Sequence, residues 1–233
     1  MRWLLGLLVL TAGCDVIFRI DHVEGDAGTI TPPGDRPLDG TSRSELPDFC
    51  ASPQIFDAFD APDIKCAWGS ANNGGLLSIH DSVMDMQLDG TLATFTGCTA
   101  FRALPFTPAG VFLVVPTTLA TSTAYTKLGV REAVGTTPTL DATLVSDGTT
   151  LKFVVSGQQV GQSTTQKYTW WRIDQETPGV IAADVSFDGM SWTNLATMNI
   201  EPPVAINVDI GAGFTATQVT SGMATFATFG VCN

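Results

Sequence analysis

From about residue 47 to the last residue, short runs of Val, Ile, Leu, Phe and Thr alternate with Asx-Gly pairs, and no apolar period of helical length interrupts them. Asn73-Gly74, Asp89-Gly90, Asp147-Gly148 and Asp188-Gly189 each offer the positive φ angles that a two-residue hairpin turn needs. The plainest case is "ATLVSDGTTLKFVV", two strands folded about Asp147-Gly148. Such punctuation constrains the chain to an all-β sandwich or barrel. One domain over residues 48–233 is expected, large enough to bury roughly 70% of its extended-chain surface without help from a metal.

Residues 1–47 differ in character. The start, MRWLLGLLVLTAGC, has a basic Arg2, an apolar run too short for a permanent membrane span, and small residues before Cys14. This is the layout of an export signal. The ending T-A-G-C is similar to the lipobox of bacterial lipoproteins, with Thr11 where leucine is usual. That resemblance implies a signal peptide over 1–13 and a lipid on Cys14. Two or more acyl chains hold a protein stably on a bilayer. A membrane reached through this anchor is therefore the expected partner, and the cell envelope the expected location. Residues 14–47, including "GDAGTITPPGDRPLDGTSRSELP", lack any sustained apolar period and read as a flexible tether. The patch Val16–Ile20 fits a strand or a membrane-surface contact equally well.

The chain carries 11 basic and 23 acidic side chains, a net charge of −12; without residues 1–13, which hold Arg2, the balance is 10 against 23, or −13. No nucleic-acid partner is expected, because such affinity rests on Lys and Arg neutralising phosphates. Electrostatic adhesion to anionic lipid is disfavoured for the same reason. After Cys14, four cysteines remain: Cys50, Cys66, Cys98 and Cys232. An even number in an exported chain points to two disulfides, with three connectivities open.

The segment "TWWRIDQETPGVIAADVSFDGMSWTNLATM" reads as three strands, 168–174, 180–187 and 192–198. Asp188-Gly189 starts the link between the last two. The spacing is not the Asp-box of sialidases, since Gly follows Asp at once and Trp192 precedes Thr193. Trp192 is expected to pack under the hairpin, so this turn is read as structural. Within the first strand Tyr168, Trp170 and Arg172 alternate on one side, with Trp171 and Ile173 on the other.

The order "W-R-I … V-S-F-D-G-x-S-W-T-x-L-A … V-x-I-G-A-G … A-T-F-A-T-F" resembles the C-terminal part of concanavalin A-like lectin/glucanase domains. "IFDAFD" followed by Trp68 is similar to their opening strand. The resemblance covers roughly residues 54–230, and it departs at Ala227, where an acid is common. It implies a concanavalin A-like jelly-roll β-sandwich of two antiparallel sheets. In that fold the first strand lies beside the last, which implies a Cys50–Cys232 disulfide, with Cys66–Cys98 as the second pair.

Function follows less directly, because this fold hosts lectins, glucanases and adhesive modules alike. Glucan-cleaving members carry an E-x-D-x-E cluster on one strand, which sets carboxylates about 5–5.5 Å apart for retaining chemistry. No segment here has it, and Asp174 and Glu176 in "IDQET" come nearest. His80, in "LSIHDS", reads as a surface residue at a strand end. The expectation is a non-catalytic binding or adhesion module. Its partner would be a glycan, held by Tyr168, Trp170 and Arg172 through ring stacking and an Arg donor. The alternatives are a glycoside-active enzyme with an unusual acid pair and a purely structural envelope lipoprotein. No cofactor is expected, although Asp57, Asp60 and Asp63 in "FDAFDAPD" offer the hard oxygen ligands that suit calcium; solvated loop acids are the plainer reading.

Overall fold

The computed structural model describes residues 46–60, 69–73, 76–88, 95–100, 103–119, 123–133, 140–163, 168–215 and 221–233. Cys14, Cys66, Asp63, Trp68 and the Asx-Gly turns at 74 and 89–90 lie outside them. A short 3-10 helix, Asp48–Cys50, precedes the strands β1 (Pro53–Asp57), β2 (Gly69–Asn73), β3 (Leu76–His80), β4 (Val83–Leu88), β5 (Phe95–Ala100) and β6 (Leu104–Pro105). Next come β7 (Val111–Val114), β8 (Ala124–Glu132), β9 (Asp141–Ser146), β10 (Leu151–Val155) and β11 (Gln158–Ser163). The last are β12 (Trp170–Thr177), β13 (Val180–Ser186), β14 (Trp192–Asn199), β15 (Ala205–Phe214), β16 (Gly222–Phe226) and β17 (Thr228–Cys232).

The strands form a six-stranded sheet in the order β1-β17-β7-β12-β13-β14 and an eight-stranded sheet in the order β11-β10-β9-β8-β15-β5-β2, with β6 on β15. A small third sheet, β16-β4-β3, adds to the two that the sequence suggests. All the pairings are antiparallel. One core cluster draws Leu113, Trp171, Ile173 and Val185 from the first sheet and Leu128, Leu144, Val208 and Ile210 from the second. The two sheets therefore face each other across a shared apolar layer. Burying each such side chain contributes roughly 1.5–3 kcal/mol.

The turns obey the backbone more than the dipeptide. Ser146 pairs with Leu151, so the loop around Asp147-Gly148 has four residues rather than two. Asp147 closes it by accepting from the Thr149 and Thr150 amides. Among the described residues, the two-residue turns with positive φ at both positions are Asp81-Ser82 and Ser156-Gly157. Only one of those four residues is the glycine such a turn favours.

Strand β1 lies antiparallel beside β17, with Pro53 opposite Cys232. Cys50 and Cys232 are joined by a disulfide across 182 residues of sequence. Cys98 is also disulfide-bonded and fully buried. On its outward side β7 carries Phe112 and Val114, buried in a second cluster with Cys50 and Cys232. Phe49 and Trp170 pack against that cluster. This covering explains why all four residues of β7 are buried. The six-stranded sheet thus has apolar packing on both faces.

Candidate active site

The outward side of β12 carries Trp170, Arg172, Asp174 and Glu176, because Trp171 and Ile173 point into the core. Antiparallel register sets Phe112 opposite Arg172 on one side and Asp184 opposite it on the other. Asn194 stands opposite Asp184 on β14. Arg172 is therefore held between two carboxylates from neighbouring strands. Its Nη2 donates to Asp184 Oδ2 and lies 3.0 Å from Asp174 Oδ2. Asn194 Nδ2 donates to Asp184 Oδ1 at 2.9 Å. Because both acids reach one nitrogen, the two carboxylates are held close together.

Aromatic rings surround this ionic group. Phe49 and Trp192 lie over the guanidinium at 4.5 and 4.8 Å from ring centroid to Cζ. Phe49 meets Trp192 edge-on at 5.3 Å and Phe112 at 5.8 Å. Trp170 stacks on Phe112 at 5.9 Å.

Asp174 and Asp184 are only 6% and 8% exposed. One guanidinium cannot neutralise two carboxylates, so the group carries a surplus negative charge if both ionise. Burial pushes Asp174 up to about 7; Arg172 opposes this, while Asp184 and Glu176 add to it. Asp174 Oδ1 and Arg172 Nε are buried with no hydrogen-bond partner. A protonated Asp174 beside an Arg-bound Asp184 is a proton donor next to a carboxylate, the division of labour that different environments impose on paired acids.

Of the residues singled out in the sequence, Trp170 and Arg172 meet here. Tyr168 does not: it precedes β12, meets Phe187 at a tilt with ring centroids 4.4 Å apart, and packs against the main core. Asp57 is in β1, where Oδ1 accepts from the Phe59 amide at 2.9 Å, and Asp60 is exposed. Among the described residues no three His, Cys, Asp or Glu side chains gather as a metal site. His80 ends β3, with Nε2 2.6 Å from Asp85 and Nδ1 3.7 Å from Asp81, so its ring faces carboxylates. The hydrogen bond with Asp85 raises its pKa. In the 187–191 turn, Asp188 Oδ1 accepts from the Met190 and Ser191 amides, and Trp192 Nε1 donates to Gly189 O. That loop is held by its own hydrogen bonds.

Asp184, Asn194, Phe49 and Phe112 are partners that sequence reading missed, and Trp192, expected to pack under the hairpin, also covers Arg172. A lone acid inside the otherwise buried run "VIAADVS" was the available signal for Asp184. Phe49 lies before the first strand and gave none.

The backbone has many structural counterparts. The laminarinase from Flavobacterium sp. UMI-01 superposes with a TM-score of 0.60 at 8% identity, over 78% of this chain and 100% of that one. The Bacillus licheniformis β-glucanase gives 0.55 at 12%, over 78% and 99%. The Crh5 transglycosylase in complex with NAG gives 0.56 at 12%, over 79% and 85%. The fold is the concanavalin A-like jelly roll. No protein-family model and no curated protein matches the chain. Identities this low establish the architecture alone. Still, these counterparts are glycoside-cleaving or glycosyl-transferring proteins by name, and this overturns the expectation of a non-catalytic binding or adhesion module. The expectation that the chain is no enzyme falls with it. Its physical basis was the lack of several acids on one strand. In this jelly roll two acids converge from adjacent strands, an arrangement invisible to a single-strand motif.

Proposed function

We propose that this jelly-roll protein is a glycoside-active enzyme, a hydrolase or transglycosylase acting on a β-linked glucan at the Arg172–Asp174–Asp184 group. It would be exported and held at the cell envelope through a lipid on Cys14. The observation that carries the reading is one buried guanidinium bridging two carboxylates, of which Asp174 holds its proton to near neutrality. The glucan is suggested by the laminarinase and β-glucanase named above.

Asp174 gives its proton to the glycosidic oxygen as the bond from that oxygen to the anomeric carbon breaks, and the leaving sugar departs as an alcohol. Asp184 supplies the electron pair that forms a glycosyl ester at the anomeric carbon. Asp174, now a carboxylate, then takes a proton from water or a sugar hydroxyl, which attacks the ester and frees Asp184. Arg172 steadies Asp184 before attack and pairs with Asp174 after proton loss.

Reducing-end release from soluble β-1,3- and mixed-linkage β-glucans, with mass spectrometry for lengthened products, tests this. Asp184→Asn and Asp174→Asn should each lose about a hundredfold or more in rate, in line with removal of a nucleophile or a general acid. No turnover of any of these glucans, or unchanged rates in both variants, overturns the reading.

A further inference from the structure

Phe49 occupies the volume directly above the reacting group proposed here. Its ring touches Phe112 and Trp192 by their edges and covers the Arg172 guanidinium. The guanidinium it covers includes Nε, which has no partner, and Asp174 Oδ1 of the same ionic group is also unpaired. A phenyl ring fills space there but can satisfy neither. Leaving a buried polar group unpaired is costly, so the arrangement suits a ring that carries hydroxyls better than the one present.

The segment bearing Phe49 is covalently tied at one point. Cys50 is fixed to the end of β17 by the disulfide, and the Cys50 amide donates to Pro47 O at 2.7 Å. Leu46 is exposed. Residues 46–49 belong to no strand and cross no sheet hydrogen bond. Pro47 is buried and Phe49 half-buried, and displacing them would break no strand pairing among the described residues.

We propose that the volume filled by Phe49 is the seat of a pyranose ring, and that residues 47–50 are a stopper hinged at Cys50 which a glycan must displace. The proposal rests on the acid-pair reading for what happens after the ring is seated. The C–H face of a pyranose matches the Trp192 and Phe112 rings, as aromatic platforms commonly do for sugars. Its hydroxyls reach Arg172 Nε and Asp174 Oδ1. Phe49 is then a competitor carried by the chain itself, and the apparent affinity for glycan falls by the fraction of molecules that are open.

The test is binding of a β-1,3-linked glucose trisaccharide to the full chain, followed by tryptophan fluorescence, in an Asp174→Asn background that blocks turnover. Phe49→Ala should bind about tenfold more tightly or better, given the edge and cation contacts it releases. Phe49→Trp, a larger ring in the same place, should bind more weakly. Thermal unfolding of both variants at the parent temperature confirms that they fold. Equal or weaker binding by Phe49→Ala overturns the seat, and the acid-pair reading survives if the wild-type chain still cleaves glucan. Tighter binding by Phe49→Ala, with no cleavage by any variant that retains both acids, supports the seat and overturns the enzymatic reading.

Discussion

Asp174→Asn should reveal the acid through stability as well as through rate. The side chain is 9% exposed and its pKa rises from 3.8 to about 7, with burial as the main cause. Between those values the unfolded chain releases its proton while the folded chain keeps it. The wild type must therefore lose stability as pH rises through this window. Each unit is worth 1.36 kcal/mol, so the full contribution is about 4 kcal/mol by pH 8. Asparagine has the shape of the neutral acid and does not titrate. Urea unfolding of the two proteins from pH 4 to pH 8 isolates the effect, because carboxylates that do not interact with Asp174 cancel in the difference. The variant should match the wild type near pH 4 and exceed it by about 4 kcal/mol at pH 8. The glucan-cleaving rate of the wild type should fall on the alkaline side of about pH 7, as Asp174 loses its proton. A stability difference that does not vary with pH, or one that favours the wild type at pH 8, refutes the reasoning.

Gly189→Val should destabilise the fold by several kcal/mol in thermal or urea unfolding, since Gly189 has φ +75° and an added Cβ would meet the Trp170 ring at 2.8 Å. Wild-type stability in that variant would mean the 187–191 turn can be rebuilt freely. Replacing Cys50 and Cys232 together by Ala should cost about 5 kcal/mol by the chain-entropy argument for so long a loop; an unchanged urea midpoint would show that terminal strand pairing alone holds the ends. Cys14→Ser should release the chain from membranes or block its processing, as fractionation would show, and full retention of the variant would rule out lipid at that cysteine.

The alternation along β12 was legible because a strand shows opposite faces at successive residues, so Trp170 and Arg172 separate from Trp171 and Ile173 in any register. The resemblance that set the first strand beside the last also carried the Cys50–Cys232 link. Cross-strand chemistry was not legible. Arg172 meets Asp184, twelve residues on, through the register of β12 with β13, and that register includes a bulge between Gln175 and Thr177. Asn194 faces Asp184 only through another irregularity, between Ala183 and Asp184. Such offsets come from packing and leave no mark in an alternating pattern. Turn lengths failed for a related reason: Asp147 satisfies nearby amides with its side chain, which favours a longer loop than its Gly148 neighbour suggests.

The disulfide also sets how the molecule would respond to tension. A pull between residue 46 and residue 233 passes along the backbone to Cys50, crosses the sulfur bridge to Cys232 and leaves by Asn233. Of the seventeen described strands that path touches only β17, at its last residue, Cys232. While the bridge is intact, tension reaches the six-stranded sheet only at Cys232, opposite Pro53. Only residues 46–49 stand outside the closed loop on the pulled side, and among them is Phe49, whose ring rests on Arg172. A domain wired in this way meets tension at one strand end instead of along its sheets.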